Sequence, residues 1–298
     1  MTLKHKSIPS FTSFKYNAMY SSAFKYLRIK RNNSVNIAVI VHLYYFDSWE
    51  LIKNKLKLID PDIFDLFITI PTSNLQFVDI ITANFNNAYI VQVPNMGRDV
   101  LPFIMIMELI KKNGYTSFLK IHSKKSTHRT DGKDWNMKIL DNLIPNNPKI
   151  ISNITTTLGL GSTGIIGPAD QYLPLTINFE ANGMHMTRII KNIYSKKISH
   201  EILQEKRNEF GFFAGTMFWG RIDAIDKVLS QNIKLRDFDR ERGQIDGTFA
   251  HALERIFSIV PEIENKSMYQ VDNQKLIKIS YISDNIPDWS DVYIGINS

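Results

Sequence analysis

Residues 88–126 read AYIVQVPNMGRDVLPFIMIMELIKKNGYTSFLKIHSKKS, and they decide the fold. Ala88–Pro94 is a short apolar run with β-branched residues, which predicts a strand. Asn95-Met-Gly-Arg-Asp99 is a polar turn. Leu101–Asn113 is a strongly apolar helical run, with Pro102 in its first turn, where a missing N–H is tolerated, and Gly114 beyond its end. Ser117–His122 is a strand again, and it delivers a cluster of cations and hydroxyls. Strand, turn, helix and strand in that order form the crossover unit of a parallel sheet.

The same alternation extends upstream. Val35–Tyr45 is near-continuously apolar, as expected of a strand covered on both faces. Asp47 or Ser48 is placed to cap a helix running to about Lys57. Asp65–Pro71 (DLFITIP) predicts the next strand and residues 74–85 the next helix. The expected class is therefore α/β: a single domain with a central, mostly parallel sheet flanked by helices. Ligands of such sheets bind beyond the carboxyl ends of the strands. That edge holds His42, Tyr44, Thr69, Thr72, Asn95 to Asp99 and His122 to Ser126.

The second half is less regular. Trp135–Leu143 reads as a helix, Thr163–Pro168 as a short strand, and Asp170 and Tyr172 lie in the loop after it. Residues 184–208 are polar with a helical period. Gly211–Arg221 (GFFAGTMFWGR) reads as one apolar strand with small residues, a helix follows from Ala224, and Ile245–Ile256 reads as another, its start marked by Asp246 and Gly247. The expected divisions are a basic, aromatic segment 1–34, a domain 35–260 and a peripheral extension 261–298.

The chain has 298 residues, a formal net charge of +7 and no cysteine. Disulfides, thiolate metal sites and cysteine nucleophiles are excluded, in keeping with a cytoplasmic protein. No apolar run is long enough to span a bilayer, and no signal peptide is expected at the N-terminus. The positive charge suits polyanionic partners. With no zinc spacing, phosphate-binding P-loop or RNA-binding aromatic signature, nucleic acid is not among the expected ones. Residues 1–34 interleave Lys and Arg with Phe and Tyr. They fit either peripheral contact with an anionic membrane, or an arm that packs on the domain or on another copy.

Three groups carry chemistry. Lys120, His122, Lys124, Lys125 and Ser126 can hold phosphate oxygens by charge-assisted hydrogen bonds. In many nucleotide-sugar transferases a metal-binding carboxylate pair stands at this place. Here the segment Lys120–Ser126 contains no carboxylate, so the cations are expected to neutralise the diphosphate without a metal or other cofactor. In the 95–99 turn, Gly97 can take positive φ, Arg98 can stack on a base and Asp99 can bind a ribose hydroxyl. Asp246 is the leading candidate for the base that takes an acceptor's proton, with Asp170 in reserve; a helix N-cap is its plain alternative. His251 and Glu254 follow Asp246 on roughly the same helical face.

Taken together, Asn95-Met-Gly-Arg-Asp-Val-Leu-Pro-Phe103, Lys120-Ile-His-Ser-Lys-Lys-Ser126, His128-Arg-Thr-Asp-Gly132 with Trp135, Phe213-Ala-Gly-Thr-Met-Phe-Trp219 with Arg221, and Asp246-Gly-Thr-Phe-Ala-His-Ala-Leu-Glu-Arg255 resemble the rhamnan synthesis F family over roughly residues 35–260. The resemblance implies a GT-A-like glycosyltransferase at the cytoplasmic face of a bacterial membrane. Its donor would be a nucleoside-diphosphate sugar, best attested as dTDP-rhamnose, and its acceptor a lipid-linked oligosaccharide of a surface polysaccharide. On that pattern Asn95, Gly97, Arg98, Asp99 and the Lys120–Ser126 cations hold the donor, and Asp246 is the base. The strand Phe213–Arg221, with Gly215, Thr216 and Trp219, floors an acceptor site completed by Asp170 and His251. A transferase with another donor, or a non-catalytic glycan- or polyanion-binding module on the same fold, is the alternative.

Overall fold

The computed structural model describes residues 35–123 and 132–280. The segment 1–34, the cations Lys124 and Lys125 with Ser126, and the tail from 281 lie outside the described residues.

The first half alternates as expected: β1 (Ile37–His42), α1 (Trp49–Leu56), β2 (Phe64–Pro71), α2 (Val78–Asn84), β3 (Tyr89–Val93), α3 (Val100–Lys112) and β4 (Ser117–His122). Then come α4 (Gly132–Leu143), α5 (Pro148–Gly159), β5 (Thr163–Pro168), β6 (Tyr172–Pro174), α6 (Phe179–Ile193), α7 (Lys196–His200), β7 (Gly211–Phe213), β8 (Phe218–Arg221), α8 (Asp226–Leu229), α9 (Phe249–Ile263), β9 (Ser267–Val271) and β10 (Leu276–Lys278).

Eight strands form one sheet in the order β10-β9-β5-β8-β4-β1-β2-β3, and β6 and β7 pair separately. Strands β1 to β4 run parallel, as do β5 and β9, while β8 and β10 run antiparallel to their neighbours. The chain builds outward from β1 to β2 and β3, then returns to lay β4 on the other side of β1. The strand order therefore reverses between β1 and β4.

Each strand residue is assigned to a face by alternation. Ile37, Val39 and Val41 pack with Trp49 and Ile52 of α1 and with α4 and α5. Ala38 and Ile40 pack with α3, α6 and α9. On β4 the same parity puts Leu119 and Ile121 on the α4 side and Phe118, Lys120 and His122 on the α3/α9 side.

Several boundaries differ from expectation. Gly211–Arg221 is not one strand. Gly215 and Thr216 take φ of 91° and 54°, and this turn sends β7 to pair with β6 and β8 into the main sheet beside β4. The last long helix starts at Phe249, not Ile245: its N-cap is Thr248, whose hydroxyl accepts from the His251 N–H, so Asp246 is left outside it. The helix expected over 184–208 starts earlier, at Phe179, and ends at Ile193. Past residue 260 the chain adds β9 and β10 to the sheet beside β5.

Candidate functional site

The 95–99 turn leaves β3 at the carboxyl edge and starts α3. Gly97 has φ +65°, and a Cβ there would come within 2.6 Å of both Leu101 Cβ and the Phe238 ring, so glycine is required. Arg98 also takes positive φ, 56°. Asp99 stands at the N-cap of α3 but makes no side-chain capping bond. Its carboxylate turns instead to the ammonium of Lys120, with the His122 imidazole 3.8 Å away.

Lys120 is 1% exposed. Besides Asp99 it donates to the Thr216 carbonyl at 2.6 Å, and its ammonium lies 5.5 Å from the centre of the Phe103 ring. Burial pulls its pKa down against the attraction of Asp99. Burial alone would raise the Asp99 carboxyl, but His122 and Lys120 outweigh it and hold the group well below the usual carboxylate range. This is a correction to the sequence reading: Lys120 is the buried partner of Asp99, not a cation open to a diphosphate.

His122 sits between two carbonyls, Gly215 O at 2.9 Å from Nε2 and Ser123 O at 3.2 Å from Nδ1. Both partners only accept, so the tautomer decides which of the two the ring meets through an N–H. The Gly215–Thr216 turn is tied on its other side by Glu254, whose Oε1 accepts from Gly215 N at 2.8 Å and Thr216 Oγ1 at 2.9 Å. A β-branched residue at positive φ is strained, and these contacts hold it there.

Arg98 reaches across to the loop before α9. It donates to His251 Nε2 at 2.9 Å and to the Gln244 carbonyl, with Glu241 Oε2 at 3.4 Å. Because a guanidinium only donates, Nε2 of His251 accepts here, while Nδ1 lies 2.8 Å from Thr248 Oγ1 and 3.3 Å from the Thr248 N–H. Burial also depresses this imidazole, in keeping with a neutral ring. Arg98 is thus committed within the protein rather than free to stack on a base.

Asp246 is held by four donors: Asn178 at 2.8 Å, Asn182 at 2.7 Å, the Gly247 N–H at 2.8 Å and Arg255 at 3.0 Å. Burial acts to raise its pKa, but Arg255, Asn182, His251 and Gly247 together bring it below the ordinary value. Asn178 is the N-cap of α6, Asn182 lies in its first turn, and Arg255 comes from α9. Asn178, Asn182, Arg255 and the bracing role of Glu254 were not legible as a site beforehand. The asparagines lie far away in sequence with ordinary helical spacing, and only the packing of α6 on α9 brings them to Asp246.

Other expected site residues separate. Asn95 donates from Nδ2 to Tyr44 Oη at 3.4 Å, at the same edge. Ser123, within the His122–Ser126 group, accepts from the N–H groups of Tyr44 and Tyr45, both at 2.8 Å, and so pins the loop after β1. Trp219 is corrected: it is fully buried on the α4 side of the sheet, donating to Leu143 O at 2.8 Å, and has no path to an acceptor. Asp170 is exposed and pairs with Lys138 of α4 at 3.0 Å. No contact among the described residues joins it to Asp246.

The fold is α/β, and these polar residues gather at the carboxyl ends of β1 and β4, where the strand order reverses; ligands of such sheets bind at that kind of edge. The chain belongs to the rhamnan synthesis protein F family, whose profile matches residues 9–265. The motifs from Asn95 to Arg255 all fall within that match. The uncharacterized protein WxcX, from two strains of Xanthomonas campestris pv. campestris, is 29% identical over 227 residues, which is 76% of this chain and 31% of WxcX. The chain therefore spans about a third of the length of these curated relatives. No helix among the described residues is long and apolar enough to cross a membrane.

Proposed function

We propose that the protein is a glycosyltransferase of polysaccharide synthesis. In this reading it moves a deoxyhexose, L-rhamnose from dTDP-rhamnose, to a lipid-linked glycan at the cytoplasmic face of the membrane. The observation that carries the reading is the Arg98–His251 contact, which ties the turn after β3 to the loop that bears Asp246. Segments far apart in sequence thus converge on one edge, as a two-substrate site requires.

In this reading Asn95, Gly97 and Asp99 shape the donor side, and Arg98 fixes it to the acceptor side. His122, with Lys124, Lys125 and Ser126 that follow it in sequence, neutralises the departing diphosphate. Lys120 contributes by keeping Asp99 and the Thr216 carbonyl in place. Asp246 takes the proton of the attacking hydroxyl. Its four donors make it a weak base, which suits a transfer in which that hydroxyl becomes acidic only as the new glycosidic bond forms. Gly215, Thr216 and His251 stand on the acceptor side. No metal is assigned a role.

Thermal shift with a panel of nucleotides tests the reading. Selective stabilisation by dTDP or UDP supports it. A response to salt and polyanions alone would support a non-catalytic binding module instead.

A further inference from the structure

We propose that His42 is a further ligand-contacting residue of this edge, meeting a hydroxyl group of the nucleotide-sugar through Nε2; the proposal rests on the transferase reading above. His42 ends β1 and stands in register with His122 on one neighbouring strand and Thr69 on the other. It is therefore at the point where the strand order reverses, and on the same face as Lys120 and His122. Nδ1 lies 3.0 Å from Thr69 Oγ1, which fixes the ring plane. Nε2 has no partner among the described residues, yet it is not sealed from solvent as the orphaned atoms of Asn182 and Arg255 are. A buried ring with one nitrogen anchored and the other left open is arranged to receive something.

The chemistry of that partner follows from the charges around it. Asp99, His122 and Lys120 face His42, and with burial as the main cause the ring is depressed to about 3, so it is neutral in ordinary buffers. A phosphate oxygen only accepts, so it would fit a neutral Nε2 in one tautomer alone, and the cations of the edge attract it more strongly. A hydroxyl both donates and accepts, so it fits Nε2 whichever tautomer Thr69 selects.

The test is long-range ¹H–¹⁵N NMR on protein labelled with ¹⁵N-histidine, with His42 assigned by its loss in His42→Gln. Titration with dTDP and then with dTDP-rhamnose should move the His42 Nε2 resonance. Movement with dTDP places the hydroxyl on the deoxyribose, and movement only with dTDP-rhamnose places it on the sugar. In parallel, His42→Ala should weaken binding of that ligand about tenfold, the loss of one good hydrogen bond. Thr69→Val should weaken it less and Thr69→Ser restore it. Ligand binding with the Nε2 resonance unmoved overturns the proposal and leaves the transferase reading standing. No binding of either compound overturns the proposal, and with no binding of UDP it overturns the transferase reading as well.

Discussion

Lys120 and Asp99 form an ion pair beneath the carboxyl edge of the sheet, their side chains only 2% and 12% exposed. The strand parity of β4 turns Lys120 inward, and the turn made possible by Gly97 swings Asp99 over it. A motif that reads as a phosphate-binding cation is thereby spent inside the protein, where it holds the Thr216 carbonyl and the start of α3 together.

Breaking that pair should be costly. Lys120→Met leaves Asp99 buried without its partner, and a loss of about 3–5 kcal/mol is expected in urea unfolding. Combining it with Asp99→Leu should recover much of the loss. If Lys120→Met changes stability by less than 1 kcal/mol, the pair is not the anchor described here.

Acid should destabilise the protein in two stages. His42 is depressed to about 3 from an unfolded value of 6.5, so the unfolded chain binds the extra proton as pH falls between those values. Its stabilising contribution is complete above 6.5 and is lost progressively toward 3, at up to about 1.4 kcal/mol per pH unit. Asp99 adds a further loss that begins below its unfolded carboxylate value, because its folded value is lower still. Unfolding curves of wild type and His42→Gln from pH 8 to 4 check the first stage: the variant should show the shallower decline.

Asp246 is the counter-ion of Arg255 as well as the proposed base. Asp246→Asn should therefore lower stability, by about 3 kcal/mol if the buried guanidinium is left uncompensated, and should abolish turnover even where circular dichroism shows the variant folded. Turnover at the wild-type rate would remove Asp246 as the base while leaving its pairing with Arg255 intact.

Glu254 braces the Gly215–Thr216 turn through two hydrogen bonds. Glu254→Ala should cost about 1–3 kcal/mol, and Glu254→Gln, which keeps an acceptor oxygen, distinctly less. Equal effects of the two substitutions in thermal unfolding would argue that the brace is not what holds the turn.

Metal dependence is open to a direct check. The segment Lys120–Ser126 carries cations and no carboxylate, so turnover should persist in excess chelator. Loss of turnover that Mn²⁺ or Mg²⁺ restores would refute the replacement of a metal by these side chains.

The sheet was legible because its first strands are long apolar runs separated by turn residues and amphipathic segments. Strand parity alone places Phe118, Lys120 and His122 on one face. Two things were not legible. Gly211–Arg221 is apolar throughout, so the break at Gly215–Thr216, set by positive φ and by Glu254 from a distant helix, left no mark in hydrophobicity. The partners of each polar residue were equally hidden. Arg98 reads as free to stack and Asp246 as a base or a helix cap, and only the docking of the loop before α9 onto the 95–99 turn shows what they hold. Trp219 misled because its motif is suggestive while its parity puts it under the opposite face.

The central claim is that this edge transfers a sugar from a nucleotide. Incubation of the protein with dTDP-rhamnose and a lipid-linked oligosaccharide, followed by chromatography of nucleotide and glycan, tests it most directly. Release of dTDP matched by a glycan heavier by one deoxyhexose, and absent with Asp246→Asn, is the expected result. Intact donor and unchanged glycan across a panel of nucleotide sugars, with folded protein present, would contradict it.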